Sequence, residues 1–128
     1  MIEPQSRFSN MRLAQADLTA AKGWYVGPWN SDLPIAVGYA NTGIDEPHVH
    51  AQITEIYIVA RGTADIRVEQ ETISLQAGDM IVVEPGEAHT FLSNSLDYFH
   101  VVLHTPALSD AVARQDKQLV TRERLGLT

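Results

Sequence analysis

The chain has 128 residues and no cysteine, and 9 Lys and Arg against 16 Asp and Glu leave a formal net charge of −7. This length predicts a single domain with a substantial core, and the missing cysteines exclude disulfides, thiolate zinc sites and cysteine nucleophiles. The acidic balance argues against a nucleic-acid-binding protein, which needs a basic face. We therefore expect any bound metal to sit on carboxylates or on the five histidines.

The sequence has no apolar stretch near the ~20 residues of a membrane span. Its first residues, Met1 to Gln5, have neither the basic nor the apolar region of a signal peptide. We therefore expect no membrane partner and a cytoplasmic location.

Residues 1–32 are expected to form an N-terminal arm laid over a sheet. Within it, residues 14–21 predict a short helix that ends at a Lys-Gly pair. Trp24 and Trp29 flank a Gly-Pro pair that interrupts regular structure. Because large aromatic side chains are mostly buried, we expect both to pack in the interior, with lining of a ligand pocket as the alternative.

Between residues 33 and 106 the chain alternates short β-prone runs with turn residues. The runs cover residues 35–40, 53–60, 64–68, 73–75, 80–83, 90–92 and 98–103. Short strands at close, regular spacing are typical of an all-β sandwich or barrel. No strand–helix alternation is present, which disfavours a parallel α/β sheet.

The C-terminal segment, residues 107–128, is expected to form a short helix and a solvated tail. Residues 110–120 have helical propensity, and Ser109 or Asp110 would cap the helix. The charged stretch 121–124 is expected to face water.

The second and fifth predicted strands are apolar on both faces. In the second, Glu55 and Tyr57 share one side while Ile56 and Ile58 face the other. A strand that is apolar on both faces is usually covered on both. We expect a second copy of the chain to cover the outer face, giving a homodimer. The N-terminal arm or the C-terminal helix is the alternative cover.

Four residues carry the main signal for chemistry. His48 and His50 lie two residues apart, so an extended strand presents both imidazoles on one face. Glu55 follows at an odd spacing, and a bend around residues 51–52 would return it to that face. His89 comes after a Pro-Gly turn. Three neutral imidazoles and a carboxylate suit a divalent transition metal and leave positions open for water or substrate.

A His-x-His pair alone is a weak signal, but the surrounding glycines and prolines are more specific. One motif runs from Gly43 through His-x-His and Glu to Gly62, and a second runs from Gly78-Asp79 through an apolar run and Pro85-Gly86 to His89. In order and in most of their spacing they resemble the two motifs of the cupin superfamily, over about residues 35–104. The resemblance implies an antiparallel jelly-roll β-barrel with a divalent metal ion, Fe, Mn, Ni or Zn, inside it. The ligands that it implies are His48, His50, Glu55 and His89.

Two further residues are candidates for a catalytic role. Tyr57 shares the inward face of its strand with Glu55, so its hydroxyl could orient a substrate or fill the core. His100 and His104 share one face of the last predicted strand. If that face looks inward, His100 could carry a proton or support a ligand. The alternative is a histidine satisfied in the core or at the surface.

The resemblance also implies a small organic substrate or ligand inside the barrel. Cupins include dioxygenases, isomerases, epimerases, decarboxylases and lyases, and the fold does not decide among them. We expect a metal-dependent enzyme, dioxygenase-like or isomerase/lyase-like, and rank the oxygenase first by analogy with cupins that hold iron on three His and one Glu. The alternative is a small-molecule or sugar-binding module without turnover.

Overall fold

The structure is a computed structural model that describes residues 20–42 and 46–128. Over these residues ten strands form two antiparallel five-stranded sheets. The strands are β1 Lys22–Val26, β2 Ala36–Ala40, β3 His48–His50, β4 Thr54–Arg61, β5 Thr63–Val68, β6 Glu71–Gln76, β7 Met80–Val83, β8 His89–Asn94, β9 Phe99–Thr105 and β10 Lys117–Leu119. One helix, α1, spans Asp110–Asp116, and a 3-10 turn spans Glu123–Leu125.

The first sheet has the order β1-β2-β9-β4-β7 and the second the order β10-β3-β8-β5-β6. Side chains alternate along the strands, so that Glu55, Tyr57 and Val59 of β4 are buried while Ile58 is exposed. The all-β antiparallel class is confirmed, and each of the seven predicted runs coincides with an observed strand. The apolar core lies between the sheets and includes Ile66 and Phe91.

Two strands lie where the sequence did not predict them, and the first is β1. The predicted helix was to end at Lys22 and Gly23, but these residues begin β1 and pair with β2. The rest of that helix, residues 14–19, lies outside the described residues. The run Trp-Tyr-Val favours extended backbone, and Tyr25 stacks on Tyr39 with ring centroids 5.4 Å apart. β1 therefore extends the sheet at its edge.

The second unpredicted strand is β10. The predicted helix of residues 110–120 ends at Asp116, although Ser109 caps it as expected by accepting a hydrogen bond from the Val112 amide. The next three residues pair with β3, because an extended segment satisfies the backbone groups at the open edge of that strand. Residues 121–124 are exposed as expected, but Leu125, directly after them, is fully buried.

The outer face of the first sheet carries exposed apolar side chains. Ile58, Met80 and Val82 are exposed by 38%, 63% and 46%. Helix α1 lies elsewhere, with Ala113 beside the internal cavity described below. The described residues thus leave these three side chains partly open to solvent. Among the described residues, no helix has the length and apolarity to cross a membrane.

Candidate metal centre

Glu55 is buried where four imidazoles converge. Its Oε1 atom lies 2.8 Å from His89 Nε2, 3.1 Å from His50 Nε2 and 3.5 Å from His48 Nε2. Its Oε2 atom lies 2.9 Å from His104 Nε2. The structure thus brings together the four residues proposed as ligands from the sequence and adds His104 as a fifth member of the cluster.

Strand pairing explains this convergence. His48 pairs with His89 across β3 and β8 of the second sheet, while Glu55 pairs with His104 across β4 and β9 of the first. The bend expected after His50 is therefore a crossover of the chain from one sheet to the other. It turns the Glu55 side chain towards the imidazoles of the facing sheet.

Asp116, at the end of α1, holds this crossover. Its Oδ1 accepts a hydrogen bond from the Gln52 amide at 2.7 Å, and its Oδ2 accepts one from the Ile53 amide at 3.3 Å. Its backbone carbonyl accepts a hydrogen bond from the Ala51 amide. Sequence reasoning missed Asp116, because an acidic residue inside a predicted helix is no specific signal.

Hydrogen bonds on the far side of each ring orient the imidazoles. In His48 and His89, Nδ1 lies 2.8 and 3.1 Å from the backbone carbonyl oxygen two residues earlier. In His50, Nδ1 lies 3.2 Å from Asp116 Oδ2. Each Nδ1 thus has a polar partner on the far side of its ring, which leaves Nε2 to face Glu55.

The donor set fits a divalent metal ion. Burial raises the pKa of Glu55, but the polar contacts from His104, His48, His50 and His89 outweigh it and hold the pKa well below its usual range. Glu55 Oε1 is nevertheless a buried oxygen without a hydrogen-bond partner among the described residues. A buried carboxylate oxygen without a hydrogen bond, surrounded by imidazole nitrogens, can share a cation with them. Nitrogen and oxygen donors of this kind suit transition metals.

The ligand atoms form two overlapping groups that share Glu55. His48, Glu55 and His89 form one, and His50, Glu55 and His104 form the other, with the ligand atoms of each group within 4.8 Å of one another. His104 was recognisable from the sequence only as a residue on the same face as His100. Its place opposite Glu55 depends on the register of β4 and β9.

Tyr57 is part of the same cluster. Its hydroxyl donates a hydrogen bond to Glu55 Oε2 at 2.8 Å and lies 3.4 Å from His89 Nε2. It therefore fixes the orientation of the carboxylate and lies within reach of a bound molecule, since it also lines the cavity.

His100 lies on the cavity wall, outside the group around Glu55. Its Nδ1 is 2.6 Å from the Tyr98 hydroxyl, and its ring packs against Tyr57 with centroids 4.9 Å apart. Burial lowers the pKa of His100 to about 4, against an opposing effect of the Glu55 charge. His100 is therefore neutral at physiological pH. Burial also raises the pKa of Tyr98.

A cavity of about 580 Å³ leads from the cluster to the surface. Trp24 and Trp29 line it and are 44% and 62% exposed, so the expectation that they pack in the interior is wrong. Gly38 explains the position of Trp24, because a Cβ there would come within 2.8 Å of the indole. The Trp24 ring lies 4.6 Å from that of His104, between centroids.

Comparison with solved structures identifies the fold. Streptomyces PAC13, in a variant solved with uridine, matches with a TM-score of 0.62 and 21% identity, covering 78% of this chain and 77% of that one. KdgF from Halomonas sp. matches with a TM-score of 0.59 and 19% identity, covering 76% and 88%. A putative ethanolamine utilization protein Q from Salmonella typhimurium LT2 matches with a TM-score of 0.56 and 20% identity, covering 68% and 69%.

The sequence itself was compared in two further ways. No curated protein matches it. The profile of the family described as "Cupin domain" matches residues 37–104, a segment that contains both histidine motifs and Glu55. Because this segment is more than half of the chain and the solved structures share its fold, the protein belongs to the cupin-domain family.

Proposed function

We propose that the protein is a divalent-metal-dependent enzyme of the lyase or isomerase type, acting on a small organic substrate in the cavity. The observation that carries the proposal is the buried Glu55 carboxylate, which faces imidazole Nε2 atoms where the cavity of about 580 Å³ meets the cluster. The residues that would hold the metal are His48, His50, Glu55 and His89. When bound, such an ion supplies Lewis acidity towards a substrate oxygen.

The side chains around the cluster favour proton transfer. A lyase or isomerase removes a proton from carbon and delivers one to a leaving oxygen or to a neighbouring carbon. Tyr57 and His104 both contact Glu55 Oε2 and both line the cavity, so two proton-carrying groups border the space for the substrate. PAC13 is described as a nucleoside dehydratase, so elimination chemistry occurs on this fold.

Metal content tests the first half of the proposal. We expect protein purified without chelator to contain a divalent transition metal by elemental analysis. His50→Ala removes one ligand and should abolish stoichiometric binding. The control is His100→Gln, because His100 hydrogen-bonds Tyr98 rather than Glu55 and its loss should leave the metal in place. Full metal content in His50→Ala would overturn the ligand assignment.

Isotope exchange tests the second half. The metal-loaded protein is incubated without oxygen, in deuterium oxide, with hydroxylated aldehydes, ketones, sugar acids and nucleosides. A lyase or isomerase incorporates deuterium at carbon or releases water under these conditions. Turnover that requires oxygen and consumes it would support the oxygenase ranked first from the sequence. Binding without turnover would support the non-catalytic module.

A further inference from the structure

The only two lysines of this acidic chain, Lys22 and Lys117, both line the cavity. Every arginine that the structure describes donates to a backbone carbonyl, to Asp110 or to Glu69. Neither lysine side chain has an ion pair or hydrogen bond with another described residue. Among the described residues, the cavity lining thus carries two lysines without an ion-pair partner, beside Arg114, which pairs with Asp110, in a protein with a formal net charge of −7.

Both lysines are exposed and lie on edge strands beside the cavity. Lys22 begins β1, the edge strand of the first sheet, and Lys117 begins β10, the edge strand of the second. Lys22 pairs with Ala40 and Lys117 with His50, so each lysine is the exposed neighbour of a cavity-lining residue. An anion that enters the cavity beside these two strands would be attracted by both ammonium groups.

Two aromatic faces accompany the lysines. Trp24 and Trp29 are exposed by 44% and 62% and line the same cavity. Trp24 lies against Gly38, and Trp29 folds back over Gly27, where a Cβ would meet its ring at 2.0 Å. Both indoles are thus packed against backbone on one side. Exposed indole faces bind the flat face of a ring, whether a sugar or a base.

We propose that the substrate is a hydroxylated ring that bears an anionic group, a carboxylate or a phosphate. Lys22 and Lys117 bind the anion at the mouth, the tryptophans contact the ring, and the remaining hydroxylated carbons extend towards Glu55. This inference rests on the proposed function only for the reaction at the cluster. Anion binding at the mouth requires neither metal nor turnover.

The test uses three probes that share one ring: D-glucose, D-glucuronate and D-glucose 6-phosphate. Because Trp24 and Trp29 are the only tryptophans of the chain and both line the cavity, intrinsic tryptophan emission reports on binding there. We expect at least one of the two anions to bind about 10-fold or more tightly than glucose. Lys22→Gln and Lys117→Gln should each weaken the anion about 10-fold and leave glucose unchanged. The difference between carboxylate and phosphate identifies the anion.

The matched control is Arg122→Gln, which removes an exposed cation that does not line the cavity. It should bind the anions as the wild type does. Equal affinity for all three probes, lysine variants that keep the anion preference, or wild-type emission unaffected by either anion would overturn the inference. Metal content and isotope exchange are measured on the same protein. If the protein contains metal and turns over a substrate but shows no preference for the anions, only this inference is wrong. If it binds the anions but has neither metal nor turnover, only the proposed function is wrong.

Discussion

Asp116 connects two parts of the chain that are 66 residues apart, because its carboxylate contacts both His50 Nδ1 and the amides of the crossover. It is buried, and every one of these contacts uses a carboxylate oxygen as acceptor. Carboxylates that hold the far nitrogen of a ligating imidazole fix its tautomer and its orientation. Asp116 is therefore the residue on which the geometry of His50 depends most directly.

We expect Asp116→Asn to weaken metal binding about 10- to 100-fold, the usual effect of losing such a support. Asparagine keeps the size of the side chain but replaces one carboxylate oxygen with an amide NH2 group. That group would face the N–H groups of the crossover, to which it cannot hydrogen-bond. Competition with a chromophoric chelator measures the affinity, and circular dichroism checks that the fold is retained. Asp110→Asn is the control, because Asp110 pairs only with Arg114 at the exposed surface. Equal affinity in both variants would contradict the role assigned to Asp116.

His100 predicts how stability depends on pH. Burial lowers its pKa to about 4 in the folded protein, whereas an unfolded histidine titrates near ~6.5. Between pH 4 and pH ~6.5 the unfolded state binds a proton at this histidine that the folded state does not bind. The free energy of unfolding is therefore undiminished by this proton above pH ~6.5 and decreases as the pH falls towards 4. A shift of this size corresponds to roughly 3 kcal/mol.

Urea unfolding at pH 7 and pH 5 measures this effect. The wild type should lose more unfolding free energy between the two values than His100→Gln, which cannot titrate but can still hydrogen-bond the Tyr98 hydroxyl. The comparison between variants removes the contribution of the carboxylates, which titrate in both. An identical pH dependence would show that His100 is not held neutral by burial.

At the scale of elements, the edge strand β1 gives the cavity its aromatic wall. Trp24 pairs with Gly38, and Gly38 pairs in turn with Val102, so these residues form one inward-facing row across three strands. A Cβ at Gly38 would lie 2.6 Å from the Gly23 carbonyl oxygen and 2.8 Å from the Trp24 ring. Glycine at this position is therefore what lets β1 and its indole approach β2 closely.

Gly38→Ala should displace β1 and lift Trp24 away from His104. We expect a cost of about 1–3 kcal/mol, as for other overpacking substitutions, and a red shift of tryptophan emission. Making the substitution in a Trp29→Phe background leaves Trp24 as the only emitter, and that background alone is the reference. Unchanged emission and unchanged urea stability would mean that β1 accommodates the methyl group without moving.

At the scale of the whole molecule, the outer face of the first sheet is the candidate surface for an interaction. Ile58, Met80 and Val82 form an exposed apolar row on β4 and β7, the two strands that the sequence marks as apolar on both sides. Contiguous exposed apolar surface of this kind usually marks an interaction site. The homodimer predicted from the sequence remains the expectation for this face.

Size-exclusion chromatography with light scattering should report a dimer for the wild type and a monomer for Met80→Glu, because a carboxylate in an apolar interface lacks a partner. Leu96→Glu is the matched control, since Leu96 is fully exposed in the turn between β8 and β9. A monomeric wild type, or a dimer that tolerates Met80→Glu, would reject this face as the interface.

Most of the strand pattern could be predicted from the sequence, and so could the fact that His48, His50, Glu55 and His89 lie together. Alternation and turn residues are local signals and were enough to place seven strands, whereas His48, His50, Glu55 and His89 were selected by the resemblance of their two motifs to those of cupins. The sequence could not determine β1 or β10, because edge pairing depends on which strand is left open beside them. It also misplaced Trp24 and Trp29, since average burial says nothing about the cavity that they border.

Which distant residues complete the cluster depends on how the strands pair and fold together. His104 meets Glu55 across 49 residues, and Asp116 meets His50 across 66. Such contacts depend on strand register and on the crossover between the sheets, and a shift of one residue would turn His104 to the opposite face. The two lysines likewise come to one cavity only because the sheets place β1 and β10 at its mouth. The type of a residue determines which bonds and charges its side chain can offer, whereas tertiary packing determines which side chains come into contact.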